Sequence, residues 1–355
     1  MKKTLLAACA LATMAGGAMA QSNVTVYGIA DVGIAAESGG RSGSVTRLTS
    51  GIASGSRLGF KGEENLGDGL SAFFTLESGI GLDTGTYNQG GRAFARQSFV
   101  GLKGNFGTLS LGREYTPYYK VNLAVDPFGG GFGGNATNLL PYSGDFGRLR
   151  DNIHYVSPTF SGFHADVAYG FGEIPGDGSA SGQFSLAVWY EDGPLTLAAG
   201  HHNTNNNTSS TTNLQSGKNS FFTGIYNFGP VKGYIGYGID KGLNSQPLRN
   251  ATNPYGAAVA PVASTDSTDL VFGASAPFGP HTLIASYVVK NDKTVRNQDA
   301  TQYSIGYLYA FSKRTDFYSN WAKINNKRGA PFTVGSVIES GSGDSAFQLG
   351  IRHRF

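Results

Sequence analysis

Apolar and polar residues take turns along most of this chain. Between Ser345 and Phe355, the residues Phe347, Leu349, Ile351 and Phe355 hold odd positions, and Gln348, Gly350, Arg352 and Arg354 lie between them. Side chains on a strand point alternately to two faces, so this spacing predicts a strand with one apolar and one polar face. The first such segment, 24–35, behaves likewise: Val24, Val26, Val32 and Ile34 share one face, and Thr25, Tyr27, Ile29 and Asp31 the other. Fourteen further segments fit a strand, at 56–62, 70–79, 96–103, 108–113, 152–157, 163–171, 184–190, 195–200, 221–227, 231–239, 270–276, 281–289, 302–310 and 315–322.

Short turns such as 65–69 and 104–107 alternate with long polar connections at 37–55, 83–93, 114–149, 173–182, 201–219, 240–268, 291–300 and 324–344. Turns rich in Gly, Asn, Asp and Pro join antiparallel neighbours. Sixteen strands with one short-turn rim and one long-loop rim predict an all-β, antiparallel transmembrane barrel. Closure would pair the last strand with the first and leave no open edge. A propeller would repeat a signature roughly every 40–50 residues, and no such repeat is visible. A soluble sandwich explains neither the alternating connections nor a strand that ends the chain on an aromatic residue.

Composition agrees. Mean hydropathy is −0.18. No segment beyond residue 20 reaches the roughly 18 consecutive apolar residues that a membrane helix needs. Half-polar barrel strands escape such a test. The 53 Gly, 18 Tyr and 23 Phe suit tight turns and aromatic girdles at membrane interfaces.

The first twenty residues stand apart. Lys2 and Lys3 precede an apolar run at 5–15, and Ala18-Met19-Ala20 forms a small-x-small cleavage site. This pattern predicts a secretory signal peptide at 1–20 and a single domain at 21–355. Leu6-Ala7-Ala8-Cys9 resembles a lipoprotein cleavage box, but a cut there leaves almost no apolar run after Lys3. Removing the segment takes away the single cysteine, and disulfide and thiolate chemistry go with it. Removing its two lysines from the 27 basic residues leaves 25, against 24 acidic ones. That near-neutrality argues against a nucleic-acid partner.

Signs of catalysis are few. There is no His-Glu-x-x-His metal motif and no phosphate-binding Walker loop, and no cofactor is expected. Gly273-Ala274-Ser275-Ala276-Pro277 lacks the last glycine of a serine elbow. The run 129–134 (GGGFGG) lacks the strand-to-helix setting of a dinucleotide loop. His201 and His202 are adjacent and so point to opposite faces of a strand. A set of arginines at lumen parity is more informative. Arg57 opposes Leu58 and Phe60, Arg96 opposes Phe99, and Arg148 and Arg150 precede the sixth strand. A charge on the lipid face at mid-height costs about 2–4 kcal/mol, so these residues should face water inside. Positive side chains around a narrow pore attract anions. The connection 114–149 carries apolar and aromatic residues that would be odd outdoors, together with many glycines that allow close packing. Folded inward as the third loop, it would narrow the lumen and bring Asp126 opposite the arginines, with Glu77 as a second acidic candidate.

In order along the chain, VTVYGIADVGI, SRLGFKGEENLGDGLSAFFTLE, RQSFVGLKGNFGTLSLGRE, DNIHYVSPTFSGF and the terminal Phe355 resemble the trimeric porins of Gram-negative outer membranes, the neisserial and burkholderial type above all. The resemblance covers the whole chain after residue 20. It implies a homotrimer in the outer membrane, among its lipid and lipopolysaccharide, that passes ions and small hydrophilic solutes by diffusion. It places Arg57 and Arg96, and more loosely Arg148, on a basic constriction side and Glu77 at an acidic wall position. It also makes Phe355 a signal for the outer-membrane assembly machinery. The loop departs from the family's Pro-Glu-Phe-Gly-Gly: here the order is Asp126-Pro127-Phe128-Gly129-Gly130. The expectation is weak anion preference. A solute-specific channel and an adhesive barrel are the alternatives.

Overall fold

The apolar faces read from the sequence point outward. The computed structural model describes residues 23–141, 147–248, 254–256, 262–336, 339 and 341–355. Its last strand exposes Phe347, Leu349 and Ile351 and buries Ala346, Gln348 and Arg352. The same inversion holds elsewhere, with Val100, Leu102, Leu109, Leu111 and Ile153 exposed and Ser110, Asn152 and His154 buried. A soluble sheet does the reverse; a barrel in lipid does this.

Sixteen strands build the wall: β1 (Asn23–Ser38), β2 (Arg57–Gly67), β3 (Leu70–Gly81), β4 (Gln97–Gly104), β5 (Gly107–Tyr115), β6 (Arg148–Val156), β7 (Phe163–Gly170) and β8 (Gln183–Asp192). They continue as β9 (Leu195–Thr204), β10 (Gly217–Asn227), β11 (Lys232–Gln246), β12 (Ser264–Phe278), β13 (His281–Asp292), β14 (Ala300–Ala310), β15 (Thr315–Asn326) and β16 (Ser345–Arg354). Each is antiparallel to the next, and β1 pairs with β16 from Ile29↔Arg354 to Ser38↔Ser345, which closes the ring. Gly28 and Phe355 exchange two backbone hydrogen bonds of 3.1 Å at this seam. Several strands outrun their expected bounds. β11 and β12 run on into residues expected to be loop, where the segments 240–246 and 264–268 are mostly polar and the apolar alternation fades.

The connection 37–55 is not simply an outer loop. Residues Val45–Ser50 pair with β1, from Val32↔Ser50 to Glu37↔Val45. β2 then pairs with the lower part of β1 from Ile29↔Arg57. Residues 51–56 therefore leave the ladder opposite Ala30 and Asp31 and turn inward. The Asp31 carboxylate holds them there: Oδ1 accepts from Ile52 N at 3.1 Å, and Oδ2 from Ser54 N at 2.7 Å. The Tyr318 hydroxyl donates to the same Oδ1 at 2.7 Å.

The third loop, between β5 and β6, folds into the lumen as expected. It contains a helix that the sequence reading did not foresee, α1 (Pro117–Val125). The Thr116 hydroxyl caps it by accepting from Tyr119 N at 3.0 Å, and Pro117 opens it. Asp126, which precedes Pro127, is extended and ends it. The loop follows the inner wall strand by strand. Tyr118 N donates to Ser185 Oγ of β8 at 3.1 Å, and Thr223 Oγ1 of β10 donates to Val121 O at 3.1 Å. Gln302 of β14 donates to Gly134 O at 2.9 Å, and Gly133 N donates to Gln348 of β16 at 2.6 Å. Two wall glycines make room: a Cβ at Gly273 would stand 2.7 Å from Pro127, and one at Gly306 2.6 Å from Phe128. The packed core thus lies inside the barrel, between Tyr118, Val121, Val125 and Leu139 of the loop and Phe221, Val271 and Val288 of the wall.

Candidate functional site

Arg57 opens β2, Arg96 precedes β4, Tyr115 ends β5 and Arg148 opens β6. These neighbouring strands bring their ends to one height, and Glu77 of β3 stands among them. Glu77 Oε1 accepts from Arg96 Nε at 2.8 Å and lies 3.7 Å from Arg57 NH1. Its Oε2 accepts from the Tyr27 hydroxyl at 3.1 Å. Arg96 and Arg148 each donate to the Tyr115 hydroxyl, at 2.8 and 2.9 Å. The Arg148 guanidinium also lies 4.4 Å from the centre of the Tyr115 ring, within cation–π range. Tyr115 in turn stacks on Tyr119 of α1, which couples the arginine cluster to the inward loop. Arg57 further donates to Gly55 O at 2.9 Å, on the inward segment 51–56.

Arg96 and Arg57 therefore share the Glu77 carboxylate, while Arg148 joins them through Tyr115. Three guanidinium groups against this one carboxylate leave the set positive by about two charges at neutral pH, since arginine does not titrate there. Arg57 keeps 20 % of its side chain exposed, whereas Arg96 keeps 3 %. Of these two, Arg57 is the more open to the lumen, and Arg96 is buried.

The other expected site residues fall elsewhere. Arg150 is 60 % exposed and, among the described residues, has only Asp151, at 3.9 Å, as an ionic neighbour. The register between β5 and β6 shifts between Gly112 and Glu114, so Arg150 and Asp151 bulge out, with Asp151 at a φ of +50°. Glu77 does not oppose the arginines but lies among them. Nor does Asp126 face them across the lumen. It is 3 % exposed, and its oxygens accept from Phe128 N, Gly130 N and Ala136 N at 3.0, 2.9 and 3.1 Å. Burial pushes its carboxyl up to about 6. Asp126 is the knot of the loop.

Tyr27, Tyr115, Asp31 and Tyr318 were missed as organisers of the lumen. Tyr27 and Asp31 have lumen parity in β1, which was a usable signal. Tyr115 shares the outward parity of Leu109 and Leu111, so parity gave no sign of it; its partner Arg148 lies beyond the register shift in β6. A second buried group joins wall to loop: Lys120 of α1 binds Asp166 at 2.8 Å, and His154 lies 3.0 Å from Glu114. Among the described residues, no group of three or more His, Cys, Asp and Glu could hold a metal ion.

A lined lumen narrowed by an inward loop and a closed outward-apolar wall describe a channel through a membrane. The family model described as Gram-negative porin matches residues 7–329. This chain belongs to the Gram-negative porin family. It is 32 % identical to outer membrane porin protein 32 of Delftia acidovorans, with both chains fully covered. It is 30 % identical to a major outer membrane protein P.IB of Neisseria gonorrhoeae, again over all of both chains. Among solved structures, an anion-selective porin from Comamonas acidovorans superposes with a TM-score of 0.73 at 29 % identity, covering 94 % of this chain and all of that one. The porin is an outer-membrane protein, and its lumen is a water-filled channel for ions and small hydrophilic solutes.

Proposed function

We propose that this porin prefers anions, weakly, and works as a homotrimer without enzymatic activity. The observation that carries the preference is the cluster in which Arg57 and Arg96 meet Glu77 and Arg96 and Arg148 meet Tyr115, with three guanidinium groups to one carboxylate. Asp31 and Asp126 are buried against backbone amides, and Asp316 is outnumbered by Arg352 and Arg354 at 3.0 and 2.8 Å. The surplus is small, so the preference is weak. The similar Comamonas porin is anion-selective, which supports the sign. Residues 1–20, which lie outside the described residues, act as the cleaved export signal of the domain 21–355. Phe355, at the β1–β16 seam, is what the assembly machinery reads.

The test is ion selectivity in a planar bilayer under a salt gradient. A reversal potential on the anion side supports the reading, and one on the cation side ends it. Saturable block by a dicarboxylate or phosphate would mark a solute-specific channel instead.

A further inference from the structure

On the outer wall, β12 to β16 do not present an even apolar surface. Ala274 of β12 pairs directly with Ala285 of β13, and Ser319 of β15 lies opposite Tyr307 of β14. These short side chains floor a recess of about 460 Å³, walled by Leu283, Ile305, Trp321 and Phe347. All four wall residues are exposed. The recess starts beside the short-turn rim, since Leu283 is the third residue of β13. It reaches up to Trp321, roughly 20 Å along β15 from the rim residue Thr315.

The rim end is basic. The turn 311–314 carries Lys313 and Arg314, both exposed, and neither forms an ion pair with a described residue. His281 sits on the same rim, its Nδ1 2.7 Å from the Tyr307 hydroxyl, and Tyr307 lines the recess. His353 joins it, 2.9 Å from Thr315 Oγ1. The nearby acid, Asp316, is held by Arg352 and Arg354. An apolar slot thus opens onto an unbalanced cationic edge. An amphiphile with a negative head and a hydrocarbon chain complements both ends. Short turns of such barrels face the periplasm.

We propose that this recess binds an anionic phospholipid of the periplasmic leaflet, with one acyl chain in the slot and the phosphate at Lys313 and Arg314. Charge complementarity selects this occupant over a neutral lipid.

The chain offers its own reporter. It has two tryptophans, Trp189 and Trp321. Trp189 is buried at lumen parity, and Trp321 stands in the recess wall. Trp189→Phe leaves Trp321 as the only indole. The full porin carrying this change is placed in phosphatidylcholine vesicles with a small fraction of brominated phosphatidylglycerol or, separately, brominated phosphatidylcholine. The brominated phosphatidylglycerol should quench Trp321 severalfold more than brominated phosphatidylcholine at the same fraction. Lys313→Glu with Arg314→Glu, on an exposed turn, should bring the two lipids to equality without lowering the phosphatidylcholine signal. Ala274→Leu with Ala285→Leu should lower both. Equal quenching in the parent protein overturns the proposal, as does a preference that survives charge reversal. Protection of Trp321 from both lipids also overturns it, because another copy would then cover the recess.

Discussion

Arg96 Nε lies 2.8 Å from Glu77 Oε1, and both side chains are almost fully buried. The same oxygen lies 3.7 Å from Arg57. A buried charge without its partner is expensive, so this carboxylate is what allows two arginines to stand side by side. Glu77→Gln should raise the anion preference, because the cluster gains a full positive charge. It should also lower thermal stability, by about 3–5 kcal/mol if the arginines stay put and less if they splay toward water. Reversal potential and heat-induced loss of the folded barrel on unheated gels check the two halves. Unchanged selectivity would show that the cluster does not face the permeation path.

Asp31 organises the inward segment 51–56 beside the arginine cluster. Asp31→Ala removes the acceptor of Ile52 N, Ser54 N and the Tyr318 hydroxyl. Each orphaned buried group costs about 1–3 kcal/mol unless water replaces the lost partner. The segment 51–56 should then leave its inward position. Larger single-channel conductance and noisier open levels are expected, and conductance traces with the quiet, unenlarged levels of the parent would contradict this.

The inward loop should respond to acid. The folded Asp126 carboxyl titrates at about 6, above its ordinary value of 3.8. A group raised in the fold stabilises it fully below the ordinary value, and that contribution is lost as pH rises through the folded value. Between roughly pH 4 and pH 6 the loop should therefore loosen as pH increases. Hydrogen exchange at Gly130 and Ala136, corrected for intrinsic rates, should show more protection at pH 4 than at pH 7.5. The opposite order would mean that the three amide donors outweigh burial.

The architecture was largely legible because lipid outside and water inside impose a period of two on every spanning strand. All sixteen wall strands follow from it, and the inward third loop follows from the apolar, aromatic and glycine-rich content of 114–149. What escaped depends on interruptions of that period. The excursion 51–56 leaves the ladder altogether, and the bulge at Arg150 and Asp151 breaks the parity of β6 and so misplaced Arg150. Helix α1 escaped for another reason. Its Thr116-Pro117 start and Asp126-Pro127 stop were readable, but glycine and aromatic content drew attention to close packing instead. Asp126 was found as an important acid and given the wrong task, since parity says nothing about a side chain that bonds its own loop.

The wall glycines offer a steric test. A side chain at Gly306 meets Phe128, and one at Gly273 meets Pro127, at under 3 Å. Gly306→Val should push the loop toward the channel axis and cost about 1–3 kcal/mol of stability, as overpacking does. Lower conductance with the barrel still folded is the expected signature. Deleting Phe355 tests the seam instead: less assembled trimer in the outer membrane is expected, and normal yield would remove the residue from the assembly signal.

The most direct measurement is the reversal potential of single channels under a salt gradient, for the parent porin and for Arg57→Ala with Arg96→Ala. The expected result is anion preference in the parent and a shift toward cations in the double variant. A parent that prefers cations, or a double variant with an unmoved reversal potential, would contradict the assignment of the arginine cluster to the constriction.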